Sequence, residues 1–162
     1  ADQLERSGAA LLGAEMGALS VDHLEQVTEE DARVLAASST VATILPGPAL
    51  MLGAGLPPAR ALLDAGATVA VASDANAGTF GEPSMPLAIG LAVVLGFTID
   101  EAVWAATAGG AGALGLDGEI GRLMPGASAD VVAWDAEHEG AFAQRLGGVR
   151  PLWTWFGGQN DD

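Results

Sequence analysis

Two side chains stand where catalytic groups commonly stand. Asp74 ends the stretch Val69-Ala70-Val71-Ala72-Ser73-Asp74, whose apolar residues 68–72 read as a short strand buried on both faces. In a ring of parallel strands the loops at the C-terminal ends converge on one mouth, so a carboxylate there can take a proton or hold a cation. His23 ends a second short alternating stretch, Leu19-Ser20-Val21-Asp22-His23-Leu24, and an imidazole is the side chain best suited to proton exchange near neutrality. Each has a plain structural alternative. Asp74 can cap a turn, Asn76-Ala77-Gly78 can be a simple turn, and a histidine between apolar neighbours can be a satisfied core residue. Asp22 and Glu25, the acids beside His23, read as solvated charge, and His138 in Glu137-His138-Glu139 reads as exposed.

The elements that must position these groups alternate. Residues 4–16 have helical spacing. Thr28-Glu29-Glu30-Asp31 opens a second helix with a hydroxyl cap and three acids in its first turn, where the helix dipole favours them. A strand at 40–45 ends at Pro46-Gly47-Pro48, and a helix entered through Pro57-Pro58 reaches residue 65, with Gly66 as its stop. The strand carrying Asp74 follows. Helix and strand alternating over short connections predict parallel βαβ units. Helices are predicted at 85–96, 98–107 and 110–114 with no strand between them. Beyond a turn-rich stretch, strands are predicted at 131–135 and 152–156, a weak helix at 137–146, and a frayed tail from residue 159. A boundary near residues 115–118 divides an α/β portion, 1–116, from a β-rich portion, 117–162.

The chain has 162 residues, half of them apolar, so one sizeable core is expected. A closed eight-stranded barrel needs about 250 residues, so the chain holds an open sheet or part of a barrel. Its net charge is −15, with six arginines and no lysine, which disfavours nucleic acid and anionic membranes as partners. No cysteine is present, which removes disulfides and thiolate metal sites. The longest apolar stretch, 87–97, is too short for a bilayer span, and the acidic opening lacks the pattern of a signal peptide. A cytoplasmic protein is expected, and the missing initiator methionine suggests a piece of something longer. The four tryptophans, Trp104, Trp134, Trp153 and Trp155, read as packing residues, since no basic groove accompanies them.

Two sets of residues carry a family resemblance. Gly121, Leu123, Gly126, Ala129, Asp130 and Val131 resemble the return of the amidohydrolase superfamily from its barrel into a small β-domain, with Asp130 structural. The runs from Gly17 through Asp22-His23-Leu24-Glu25, Leu45-Pro46-Gly47, and Ser73-Asp74-Ala75-Asn76-Ala77-Gly78-Thr79 resemble the imidazolonepropionases, and Ala1-Asp2-Gln3-Leu4 resembles a run that in that family follows a histidine. The resemblance covers nearly the whole chain, as the C-terminal part of such an enzyme. It implies a metal-dependent (β/α)8 barrel of the TIM type plus part of a small β-sandwich domain.

The implied activity is ring opening of 4-imidazolone-5-propanoate to N-formimidoyl-L-glutamate in histidine degradation. Asp74 would be metal ligand and proton acceptor. His23 would polarise the scissile carbonyl or orient the attacking water. Asn76, Gly78 and Thr79 would contact substrate, and Gln3 would read the imidazolone ring. The resemblance further implies one zinc or iron ion, a small-molecule substrate and a homodimer. The family's His-x-His pair and a third metal histidine belong to upstream strands outside this chain, and Ala77 stands where the family usually has proline. One carboxylate does not retain a catalytic metal, so the chain alone is expected to be inactive. The substrate's propionate is expected to be held by residues outside it. The alternatives are another amidohydrolase, of dihydroorotase-like or guanine-deaminase-like type, and a non-catalytic amidohydrolase-derived fragment.

Overall fold

The computed structural model describes residues 1–160. The elements are, in order, α1 (Ala9–Glu15), β1 (Ser20–Asp22), α2 (Glu29–Ala36), β2 (Val41–Ile44), α3 (Pro46–Leu52), α4 (Ala59–Asp64), β3 (Val69–Val71), α5 (Met85–Val94) and α6 (Ile99–Trp104). A π-helical turn (Ala105–Gly109) joins α6 to α7 (Gly110–Ala113), and β4 (Val131–Trp134), α8 (Ala141–Gln144), β5 (Pro151–Phe156) and β6 (Gln159–Asn160) complete the chain. No helix of the described residues is long and apolar enough to cross a membrane.

The first three strands form one parallel sheet in the order β1-β2-β3, with Asp22 beside Thr43 and Ile44 beside Val71. Every residue of β2 and β3 is buried, as the continuous apolar runs predict for a sheet covered on both faces. Ile44, Val69 and Val71 pack with Leu24, Leu35, Leu62 and Ala92 into one core. Parallel pairing puts the three C-terminal ends on the same edge, so the loops after β1 and β3 open on the same side. The last three strands form a separate antiparallel sheet, β4-β5-β6, much of it exposed. Asp130 Oδ1 accepts a hydrogen bond from Gly157 N at 2.7 Å, the structural role expected of it. Trp134 packs edge-on against Phe142 with ring centroids 5.4 Å apart, whereas Trp104 and Trp153 are about half exposed and pack less than expected.

Several local expectations shift. The first helix starts at Ala9 rather than residue 4, because Asp2 holds the preceding bend. Its carboxylate, buried, accepts from Ser7 N, Ser7 Oγ, Gly8 N and Ala10 N at 2.6–3.0 Å. Burial pushes this carboxyl up, but those hydrogen bonds outweigh it and its pKa lies below the ordinary value. Pro46-Gly47-Pro48 starts helix α3 directly instead of closing the strand, since proline at the first helical position loses no bond it would have made. Gly47 allows this turn to lie against the Phe80 ring, which a Cβ would strike. The helices predicted at 98–107 and 110–114 are one rod, continued through the π turn. Gly109 lies there directly against the Val69 carbonyl oxygen, where no Cβ fits. The weak helix shrinks to Ala141–Gln144, and Gln159–Asn160 are paired with β5 rather than frayed. The rest of that predicted tail, Asp161 and Asp162, lies outside the described residues.

The cap predicted for α2 is a full capping box. Thr28 Oγ1 accepts from Asp31 N at 3.2 Å, and Asp31 Oδ2 accepts from Thr28 N at 2.9 Å. Arg6 adds two parallel bonds to Asp31, of 2.9 and 2.7 Å. Those bonds chiefly hold the Asp31 carboxyl down at about 2. Glu101 is held at about 2 in the same way, by Arg60 and by the Thr98 cap of α6. Both folded pKa values lie below their unfolded ones, so this stabilisation is present above the ordinary carboxylate range and disappears as the pH falls toward 2. Asp31→Asn is expected to lose less stability than the wild type between about pH 6 and about pH 3, read as urea midpoints. Equal losses would show that Asp31 gains nothing from the box.

Candidate active site

The buried side-chain polar atoms that lack a hydrogen-bond partner among the described residues all belong to His23, Glu25 and Thr43. Buried polar groups in a fold are nearly always paired, so such a cluster marks chemistry or a missing partner. The three residues sit together at the C-terminal end of the parallel sheet. Thr43 is in register with Asp22, and His23 N donates to the Thr43 carbonyl oxygen at 3.0 Å.

His23 and Leu24 both have positive φ, of 80° and 72°, at the point where β1 ends. A bulky, fully buried leucine rarely adopts that conformation, and such strain is characteristically kept at functional positions. The two residues turn the chain back on itself. The His23 side chain is 21 % exposed while its Nδ1 is buried, so the open part of the ring lies away from that nitrogen. Glu25 departs from the expectation of solvated charge. Its side chain is only 1 % exposed, with Oε1 at 3.5 Å from His23 Nδ1. Desolvation pushes its carboxyl above the ordinary glutamate value. Asp22 is exposed, as expected. Sequence reasoning missed Glu25 because an acid two residues after a histidine looks the same in sequence whether water or core surrounds it.

The N-terminal segment runs against the same loop. Leu24 N donates to the Ala1 carbonyl oxygen at 3.0 Å and Gln26 N to that of Asp2 at 2.9 Å. Gln3, an expected substrate contact, is thereby brought alongside residues 24–26, and its own carbonyl accepts from Gln26 Nε2 at 3.5 Å.

Asp74 stands three residues past the end of β3, also at positive φ, 48°. Its carboxylate has no hydrogen-bond or ion-pair partner among the described residues; only its backbone oxygen is engaged, by Asn76 Nδ2 at 2.7 Å. β2 separates β1 from β3, and neighbouring strands lie about 4.8 Å apart, so those two strands run roughly 10 Å apart. Asn76 organises the loop itself. Its Oδ1 accepts from Gly78 N, Thr79 N and Thr79 Oγ1 at 2.8–3.1 Å, and its backbone N donates to the Phe80 carbonyl oxygen. The turn alternative for Asn76-Ala77-Gly78 thus describes its geometry. His138, at the chain's other end, is exposed, as expected.

A cleft of about 620 Å³ lies between α2 and α4, and none of its lining residues belongs to the strand-end group. No set of three or more metal-ligating side chains is grouped among the described residues. The Asp74 carboxylate, unengaged among the described residues, is chemically suited to serve as one ligand to a cation.

The amidohydrolase family profile matches residues 6–160. The chain belongs to the amidohydrolase family. Among curated proteins, this amidohydrolase chain is 50 % identical over 147 residues to an imidazolonepropionase of Nocardia farcinica, a match covering 90 % of the chain and 37 % of that protein. It is 48 % identical over 149 residues to an imidazolonepropionase of Rubrobacter xylanophilus, covering 91 % of the chain and 36 % of that protein. The chain thus spans little more than a third of the length of these relatives. Among solved structures, an adenosine deaminase from Xanthomonas campestris with bound zinc superposes over 96 % of the chain and 40 % of that protein, with a TM-score of 0.83 at 23 % identity. A triazine hydrolase variant superposes over 87 % of the chain and 35 % of that protein, with a TM-score of 0.75 at 24 % identity. At these identities the superpositions establish the amidohydrolase α/β fold.

Proposed function

We propose that this chain is the C-terminal part of an imidazolonepropionase, which hydrolyses 4-imidazolone-5-propanoate to N-formimidoyl-L-glutamate in histidine degradation. The observation that carries this reading is the near 50 % identity to curated imidazolonepropionases over nine-tenths of the chain. The unpartnered groups at the strand ends agree with it. The parallel sheet is then the last part of a (β/α)8 barrel within residues 1–116, and residues 117–162 return into a small β-sandwich domain. The longer enzyme works as a cytoplasmic homodimer.

The reaction adds water to the ring carbonyl, breaks the ring C–N bond there, and leaves the proton on the released nitrogen. Asp74, together with residues outside this chain, would hold one zinc or iron ion, which would lower the pKa of a water and so make it nucleophilic at neutral pH. Asp74 takes up the proton that the attacking water loses. His23, across the mouth, polarises the carbonyl or orients the water. The loop ordered by Asn76 places Gly78 and Thr79 against the substrate, and Gln3 reads the ring edge. Asn76 acts through the loop as well as by contact, since its Oδ1 already accepts three hydrogen bonds.

The test is turnover by the polypeptide that joins this chain to its upstream part. Loss of the imidazolone ultraviolet band with stoichiometric appearance of N-formimidoyl-L-glutamate is expected. Turnover of a different cyclic amide or amidine, with none of imidazolonepropionate, rejects the assignment.

A further inference from the structure

Glu25 is buried at the loop after β1 with both carboxylate oxygens unpartnered among the described residues. Such a group is unfavourable in a fold unless it answers a specific partner. The polar atom facing it is His23 Nδ1, 3.5 Å from Oε1, itself buried and unpartnered. That separation is long for a hydrogen bond, and catalytic contacts of this kind commonly tighten only when substrate is present. The two successive positive-φ residues, His23 and Leu24, bring the carboxylate back to its own neighbour's ring. Ala1 N donates to the Asp22 carbonyl oxygen at 2.6 Å, which holds the N-terminal segment against the same loop.

We propose that Glu25 is the positioning residue of His23: it accepts the Nδ1 proton, fixes that tautomer, and leaves the Nε2 lone pair as the working face of the ring. This rests on the proposed hydrolase reading and sharpens it. An imidazole protonated on Nδ1 has no Nε2–H with which to polarise a carbonyl, so its first task is to accept a hydrogen bond from the attacking water. The proton that this water loses goes to Asp74 and from there to the departing ring nitrogen, while Glu25 keeps the Nε2 lone pair of His23 aimed at the water.

The chain carries an internal control. His138 Nδ1 accepts from Gly140 N at 2.9 Å, so the proton of its neutral ring sits on Nε2. In the 162-residue chain, which has two histidines, long-range ¹⁵N–¹H spectra should show the Nδ1–H pattern for His23 and the Nε2–H pattern for His138. The Nε2–H pattern at His23 overturns the proposal. Glu25→Met fills the same space without the carboxylate acceptor, and it relieves the cost of burying that charge. In the longer enzyme this variant is expected to lose about 100-fold in kcat with KM within about two-fold, the range of a lost general acid–base contribution. Wild-type kcat would overturn the proposal. If Glu25→Met fails to fold, the wild-type tautomer decides by itself; if the short chain fails to fold, the kinetics decide. The expected tautomer together with an active His23→Asn enzyme would retain the pair and reject the hydrolase role of His23.

Discussion

Asp74→Asn in the longer enzyme is expected to reduce kcat/KM by at least about 1,000-fold, because it removes both a proton acceptor and an anionic metal ligand. The substitution isolates the charge. Asparagine tolerates positive φ as well as aspartate does, so the 48° at this position should persist. No described side chain bonds to the Asp74 carboxylate, so no fold contact is lost with it. With metal removed from both, the melting temperature should therefore stay within about 2 °C of the wild type, while in the enzyme as purified bound zinc or iron falls below stoichiometric. Steady-state kinetics, calorimetry and elemental analysis of one preparation check all three. Activity within ten-fold of wild type would remove Asp74 from the chemistry.

His23→Asn should lower kcat by about 100- to 10,000-fold and change KM little, as expected for a group whose interaction strengthens in the transition state. Asparagine again suits the backbone, here at φ 80°, and preserves the His23 N to Thr43 carbonyl bond. His138→Asn, at an exposed position remote in sequence from the strand ends, serves as control and should leave kcat unchanged. A raised KM with unchanged kcat would recast His23 as a substrate-binding residue.

The parts of the fold legible in the sequence are those set by local chemistry. The caps at Thr28 and Thr98 formed because a hydroxyl followed three residues later by an acid satisfies two helix-end donors wherever the helix lies. The strand within the run at 68–72 was visible because both faces of Val69–Val71 meet core, although Thr68 at its start is exposed. Features set by distant partners were hidden. The late start of α1 depends on four donors converging on Asp2, and the π turn depends on Gly109 meeting a carbonyl of β3 some forty residues earlier. The start of α3 at Pro46-Gly47-Pro48 was concealed by residues that serve equally to stop a strand. In the site, Asp74 and His23 were legible from strand ends and family motifs. Glu25 was not, because burial of an acid is decided by tertiary structure, and its spacing to His23 is the same for a solvated acid.

Anomalous diffraction at the zinc and iron edges, from crystals of the longer enzyme, tests the central claim most directly. A single strong peak in coordination contact with the Asp74 carboxylate, in a cavity that the His23 ring also faces, is the predicted result. A peak elsewhere, with the Asp74 carboxylate turned away from the cavity lined by His23, would contradict it.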